Sequence, residues 1–509
     1  MGQARAPGGE TPPYSKGYGE APLYSKGYKA SVLALLLATY TFNFIDRTII
    51  ATIGQAIKVD LHLTDTQLGL LGGLYFALLY TILGIPIARL AERWNRVSII
   101  SLSLVVWSGF TALCGTAASF AQLALYRFGV GVGEAGCSPP SHSLISDYYA
   151  PKQRASALSI YSFGIPLGTM FGAVAGGWLA QELSWRAAFV IVGLPGILLA
   201  LLVKLVIKEP PRGHSDAVET PLEPEAMTPA EPAKPAFSLA REFSELWAVT
   251  KVLFGKWPVL HMVLGVTIAS FGSYGSGAFV PPYFVRAFGL GLAQVGLIVG
   301  LIGGFSAGLG TLVGGFLSDW AGRRSAKWYA LTPAIGLIVC TPIYIAAYLQ
   351  IDWRMTALIL LIPGVFHYVY LAPTFGVVQN SVEPRRRATA TALLFFFLNL
   401  IALGGGPVFT GWLIDHLAGF HFNHPQAGGV FAALSGMFSP GPVDFAAACP
   451  GGIAPKGAPV EAAKACGAAM ARATQQGIIV SLCFYAWAGV HYALAAIGMV
   501  KHMRSRAGA

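Results

Sequence analysis

Residues Tyr40-Thr41-Phe42-Asn43-Phe44-Ile45-Asp46-Arg47-Thr48-Ile49-Ile50 set an acid and a base side by side in a stretch that is mainly apolar from Ala30 to Ile57. Ionisable groups inside an apolar helix of that length are costly in hydrocarbon unless they face a cavity or a partner, so they mark a functional site by default. The plainer reading is that Asp46 and Arg47 neutralise each other or anchor a helix end. It fits less well, because apolar sequence continues on both sides of Arg47.

Composition makes a bilayer the right solvent: 55% of residues are hydrophobic, 11% are charged and mean hydropathy is +0.60. A soluble domain carries about a quarter charged residues. Apolar runs at 30–56, 66–91, 97–118, 120–146, 154–181 and 185–206 are followed by a second set at 258–286, 290–318, 326–350, 354–381, 388–414 and 476–501. Each is long enough for about 30 Å of hydrocarbon. They predict an all-α integral membrane fold of 12 transmembrane helices in two six-helix, pseudo-symmetric halves. The net charge of +11 comes from basic residues gathered in particular loops, which is how membrane topology is written and not how nucleic acid is bound.

Residues 1–28 are polar, repeat Tyr-Ser-Lys-Gly-Tyr at Tyr14 and Tyr24, and read as a disordered cytoplasmic tail without a signal-peptide pattern. The first half spans 29–208. A linker at 209–256 is rich in Pro, Glu, Lys and Ala, and apolar residues at helical spacing over Phe237–Lys256 predict an amphipathic helix on the membrane surface. The second half spans 257–503 and includes a long periplasmic loop, 415–475; residues 504–509 form a tail. The clusters Arg89/Arg93/Arg96, Lys152/Arg154, Arg323/Arg324/Lys327, Arg385/Arg386/Arg387 and Lys501/Arg504/Arg506 fall on one side of this arrangement, which puts both termini in the cytoplasm. Cys449 and Cys466 lie in the periplasmic loop, where they form a disulfide or remain two free thiols; the other four cysteines lie within spans. No metal or cofactor motif is present.

Ala88-x3-Glu92-Arg93-x-Asn95-Arg96 after the second span is matched by Gly315-x3-Asp319-x2-Gly322-Arg323-Arg324 after the eighth, an offset of 227 residues (315 minus 88). The acid and arginines can form a charge cluster at cytoplasmic helix ends, and the small residue permits close helix contact. The pattern resembles the motif at these two places in the major facilitator superfamily, with Ala88 and Glu92 standing where glycine and aspartate are usual. A cytoplasmic gate is therefore expected. Arg93 or Arg96 should approach Asp147, and Arg323 or Arg324 should approach Glu383, when that face closes.

In span four, Arg127 and Glu134 lie seven residues apart, hence on one helix face about 10 Å apart along the axis. Spans one and four run oppositely, which puts Asp46, Arg127 and Glu134 at compatible depths. Asp46-Arg47, Trp107-Ser108, Arg127-x3-Gly131-x-Gly133-Glu134-Ala135-x2-Ser138 and Ile165-Pro166-x-Gly168 resemble the spinster branch of that superfamily. The resemblance covers the first half well and the second at superfamily level. It implies a bacterial inner-membrane exporter of lysophospholipids or sphingolipid phosphates, with acids on helices one and four, here Asp46 and Glu134, linked to protons.

The residues themselves favour an amphiphile. Arg47 and Arg127, with Asn43 and Ser138, are expected to hold a headgroup. The acyl chain is assigned to second-half aromatics, chiefly Phe271 and Tyr368, in spans where only His367 is ionisable at depth. The chain is expected to work as a monomer among membrane lipids. Two other readings compete with this one. A proton-coupled permease for a small organic anion would use the same arginines and Glu134 in a smaller, wetter pocket. A membrane acyltransferase rests on His142-x4-Asp147 alone, a pair splayed by about 140° around a helix.

Overall fold

The computed structural model describes residues 24–212, 214–215, 239–383, 386–427, 429–436, 438 and 441–502. Five of the long helices start where a Ser, Thr or Asn supplies a side-chain cap. Ser25, Thr64, Asn95, Ser119 and Ser184 each accept a hydrogen bond from the backbone N–H three residues on, which satisfies a donor the helix itself cannot. The elements are α1 (Lys26–Thr52), α2 (Gly54–Asp60), α3 (Asp65–Ala91), α4 (Arg96–Cys114), α5 (Phe120–Glu134), α6 (Ser138–Tyr148), α7 (Ser156–Glu182), α8 (Trp185–Val206), α9 (Leu239–Gly255), α10 (Trp257–Phe288), α11 (Leu292–Gly322), α12 (Trp328–Tyr348), α13 (Trp353–Asn380), α14 (Thr389–Asn423) and α15 (Val460–Ala496).

Among the described residues, 11 of these helices are long and apolar enough to cross a membrane. The remaining span is α5 plus α6, interrupted immediately after Glu134 and restarted at Ser138-Pro139-Pro140. Prolines are tolerated there because first-turn N–H groups have no helical partner anyway. The six-plus-six architecture expected from the apolar runs is thus the observed one.

Within the first half α1 packs along α7 and α4 along α8; within the second, α10 and α12 pack along α15. The halves join through α3 against α14 and α7 against α11. Small residues make the junction possible: a Cβ on Gly73 would stand 2.7 Å from the Leu403 carbonyl oxygen, and one on Gly300 would stand 2.9 Å from that of Met170. Further along the same helices Gly84 and Gly308 have nothing within 4 Å. The halves therefore touch toward the face that carries Cys449 and Cys466 and part toward the face that carries Arg89, Glu92 and Arg96. A cavity of about 1740 Å³ fills the gap.

One expectation needs revision. The stretch 415–475 is mostly helical, because α14 runs on to Asn423 and α15 begins at Val460, with a short helix at Val430–Gly436 between them. Residues 460–475 are rich in alanine, a strong helix former that hydropathy scarcely registers. Cys449 and Cys466 are joined in a disulfide, which resolves the alternative left open above. The amphipathic helix is α9, with Val249 and Leu253 buried, Trp247 exposed and Phe254 edge-on to Phe397; the linker residues 216–238 and both chain ends, 1–23 and 503–509, lie outside the described residues.

Candidate functional site

Arg47 projects from the middle of α1 into the cavity, and its Nε donates to Glu134 Oε2 at 2.8 Å. Its guanidinium also lies over the rings of Tyr80 (4.7 Å), Phe76 (4.9 Å) and Phe44 (5.2 Å), where cation–π attraction replaces some of the lost hydration. Arg127 shares the Phe76 ring at 5.3 Å and donates from Nε to the Leu71 carbonyl at 3.1 Å. That carbonyl belongs to a π-helical turn, Leu70–Leu74, inside α3; such turns disturb the regular backbone ladder and recur at functional sites.

Behind the arginines sit the other groups. Asp46 is buried within electrostatic reach of Glu134, Arg127 and Arg47, with Thr111 beside it. Asn43 is buried next to Glu134. Gly133 lets α5 approach α4 closely, since a Cβ there would stand 2.7 Å from Trp107 Cβ. The structure therefore brings Asn43, Asp46, Arg47, Arg127 and Glu134 together. Arg47, Arg127 and Ser138 line the cavity, while Asn43, Asp46 and Glu134 form a layer behind its surface. The ionic partner of Glu134 is Arg47 and not Arg127, which shares its helix face but is turned to the α3 carbonyl.

The opposite wall carries Tyr274, His367, Tyr368, Phe375, Phe395 and Phe396. His367 is a hub, with Nδ1 3.4 Å from the Tyr344 hydroxyl and Nε2 3.3 Å from that of Tyr485. Tyrosine hydroxyls make this wall less greasy than the sequence suggested. Phe271 is not part of the cavity lining; its ring packs at 5.0 Å from Phe484 and 5.6 Å from Phe409 within the second half.

The expected cytoplasmic gate is distributed differently. Arg96 is fully buried, pairs with Asp147, and donates to Glu209 (2.6 Å) and Ser143 (2.7 Å). All of these belong to the first half or its edge, so the pair holds while the cavity stands open beside it. Arg93 is exposed, and Glu92 pairs with Arg89 at 3.7 Å on the cavity rim. Glu383 faces Arg386 one turn on at 3.9 Å, and Arg324 stacks over Trp320, with Arg323 exposed beside it. The side chain of Asp319 and the residue Arg385 lie outside the described residues.

Sequence reading missed a second charged constellation on the disulfide face. Arg286, in the last turn of α10, holds Asp65 through both terminal nitrogens (2.6 and 3.2 Å) and reaches Gln55 (2.7 Å) and Thr474 (2.8 Å). Lys58 meets the same carboxylate at 2.6 Å. Asp415 accepts from the backbone N–H groups of Asp65 and Thr66, both at 2.8 Å, and so caps α3 from the other half. Burial holds the Lys58 ammonium below its ordinary range, with Asp65 pulling the other way. Arg286 and Asp415 fall at the margins of their apolar runs, which made them look like loop residues.

Two six-helix halves around a cavity open to one face, with buried charges on one wall, are the architecture of a membrane transporter. The chain belongs to the Major Facilitator Superfamily, whose family model matches residues 36–407. It is an integral membrane protein. An inward-facing, unoccupied crystal structure of a bacterial homologue of the human lysosomal transporter Spinster superimposes with a TM-score of 0.76 at 34% identity, covering 94% of this chain and 99% of that one. An MFS-type efflux pump of Mycolicibacterium smegmatis is 32% identical over 76% of this chain and 85% of its own length. More distant relatives include the hexuronate transporter of Bacillus subtilis, 27% identical over 80% of this chain and 93% of its own, and the mouse sphingosine-1-phosphate transporter, 26% identical over 75% and 69%.

Proposed function

We propose that this transporter moves an amphiphile with an anionic or zwitterionic headgroup, of the lysophospholipid or sphingolipid-phosphate type, by alternating access coupled to protons. The observation that carries this reading is the asymmetry of the cavity. Arg47 and Arg127 face one side, and Tyr274, Tyr368, Phe375, Phe395 and Phe396 line the other. At about 1740 Å³ the cavity also exceeds the roughly 300–1,000 Å³ typical of small-ligand pockets. A phosphate bonds bidentately to guanidinium groups, and a chain of methylenes gains about 0.8 kcal/mol per CH₂ against an apolar wall. Asp46 and Glu134 serve as the proton-carrying acids, with Asn43 and Ser138 completing the headgroup site and His367 ordering the far wall. The protein acts as a monomer in a bacterial inner membrane, its basic face and both termini in the cytoplasm and its disulfide face in the periplasm. Similarity to the spinster homologue and to the mouse transporter supports this reading.

A second reading, a proton-coupled permease for a small organic anion, is favoured by the hydroxyls of Tyr274, Tyr344 and Tyr485 in the cavity wall and by similarity to the hexuronate transporter. Purified protein in proteoliposomes separates the two. Lysophospholipid flux that other lysolipids inhibit and hexuronate does not supports the lipid reading; hexuronate uptake without lysolipid flux replaces it with the second.

A further inference from the structure

We propose that the disulfide-closed loop between Cys449 and Cys466 is a strap that holds the disulfide face shut, by seating a glycine turn on the helix that supplies Lys58 to the charge cluster between the halves. The proposal rests on the alternating-access reading and adds a redox-sensitive control to it.

The cluster joins the two halves. Lys58, Asp65 and Arg286 have side chains no more than 4% exposed, and removing one partner from a buried pair leaves a costly orphan charge. Parting the halves keeps Lys58 and Asp65 paired within the first half, while Arg286 loses Asp65 and Asp415 loses the Asp65 and Thr66 backbone groups it caps. The latch therefore favours the closed arrangement, and so does anything that presses α2 toward α10 and α15.

The strap is placed to do so. Cys449 and Cys466 are 17 residues apart in sequence, and their bond ties the turn Pro450–Gly452 to α15. The turn lies on α2 of the other half: a Cβ on Gly451 would stand 3.1 Å from the Lys58 carbonyl oxygen and 3.4 Å from His62 Cα. A Cβ on Gly452 would stand 3.4 Å from Lys58 Cε. Both glycines have positive φ, +68° and +82°, which side-chain-bearing residues seldom adopt. His62, which the turn abuts, is itself at φ 50°. Thr474, which receives Arg286, lies on α15 two turns beyond Cys466. The bond therefore fixes the turn to the same helix that completes the latch, and cutting it frees the turn from α15 while the latch residues stay in place.

The test is hydrogen exchange on the full chain in lipid nanodiscs, with and without tris(2-carboxyethyl)phosphine, reduction being verified by mass. Reduction should speed exchange at residues 54–66 by about tenfold. Gly451→Val, which keeps the disulfide but cannot seat, should do the same without reductant. The Cys449→Ser/Cys466→Ser protein should be fast from the start and indifferent to reductant. Unchanged exchange at 54–66 despite faster exchange at 450–459 overturns the strap. Under alternating access, loosening at 54–66 is accompanied by added protection of residues 84–96 on the basic face. Loosening without that protection keeps the strap and refutes the rocking motion. If Arg286→Gln produces the paired response while reduction produces none, the rocking motion stands and the strap is wrong.

Discussion

Arg47 on α1 donates to Glu134 on α5 at 2.8 Å while its guanidinium rests on the faces of Tyr80 and Phe76, so one side chain is shared between an acid behind the cavity and the cavity itself. Arg47 is 19% exposed and Glu134 is not exposed at all. An anion entering the cavity can therefore reach Arg47 and compete with Glu134 for it, but cannot reach the acid. Arg127 is different. Its Nε is committed to the Leu71 carbonyl, and at 1% exposure Arg127 meets the cavity only at its edge.

Arg127→Lys should fail although it keeps the charge. A lysine has no planar fork with which to serve the Leu71 carbonyl and a headgroup at once. Hydrogen bonds to charged groups contribute about 1.5–3 kcal/mol, and 1.4 kcal/mol is about tenfold, so flux at subsaturating substrate should fall by about 10- to 100-fold. Proteoliposome uptake checks this, and unfolding temperature should change little. Wild-type-like uptake would mean that Arg127 is a structural brace for α3.

The far wall should read chain length. Tyr368→Ala or Phe395→Ala should weaken long-chain lysolipids more than short ones, because each methylene that loses its contact forfeits up to about 0.8 kcal/mol. Phe271→Ala should instead lower stability by about 2 kcal/mol or more with no chain-length dependence, since its neighbours are Phe409 and Phe484. Competition across a series of acyl lengths decides; equal losses at every length for Tyr368→Ala would remove the tail from this wall.

The architecture was legible because hydrophobic periodicity and loop charge are dictated by the bilayer, and the central charges were legible because Asp46, Arg47, Arg127 and Glu134 interrupt apolar runs. The pairing inside that cluster was not. Seven residues in one helix place Arg127 and Glu134 on one face, but the π-helical turn in α3 offers Arg127 a carbonyl, and nothing in the sequence of residues 70–74 announces it. The latch escaped for a related reason. Arg286 and Asp415 sit at the edges of apolar runs, where charged residues are ordinary, and only the fold brings them to Asp65 from 221 and 350 residues away.

Arg96 should prove structural. It is fully buried and serves Asp147, Glu209 and Ser143, so Arg96→Ala removes a buried cation from between two acids. Breaking a buried pair in this way costs about 3–5 kcal/mol. Arg93→Ala, at an exposed site, should stay within about 0.5 kcal/mol. Thermal unfolding in detergent measures both, and comparable effects would return Arg93 to the gate.

Asp46 and Glu134 are expected to carry the pH dependence of transport. A proton on Glu134 removes the charge that holds Arg47, which releases the guanidinium to the cavity surface, where a phosphate can take both of its free edges. Asp46 lies in the same buried layer, beside Thr111 and within reach of both arginines, so its protonation changes the field that Arg127 experiences. Each acid can be replaced by its amide with little change in shape: a glutamine at 134 still accepts a hydrogen bond from Arg47 Nε, and an asparagine at 46 still fits beside Thr111. The substitutions remove titration and leave packing. Glu134→Gln and Asp46→Asn should therefore fold normally and lose the dependence of flux on pH, Glu134→Gln behaving as though permanently protonated and Asp46→Asn losing the second titration. The measurement is initial flux between pH 5 and pH 8 with no imposed gradient, repeated with an imposed proton gradient, for wild type and both variants. If both amides transport with the wild-type pH profile, the two acids are structural partners of the arginines and the protons enter elsewhere.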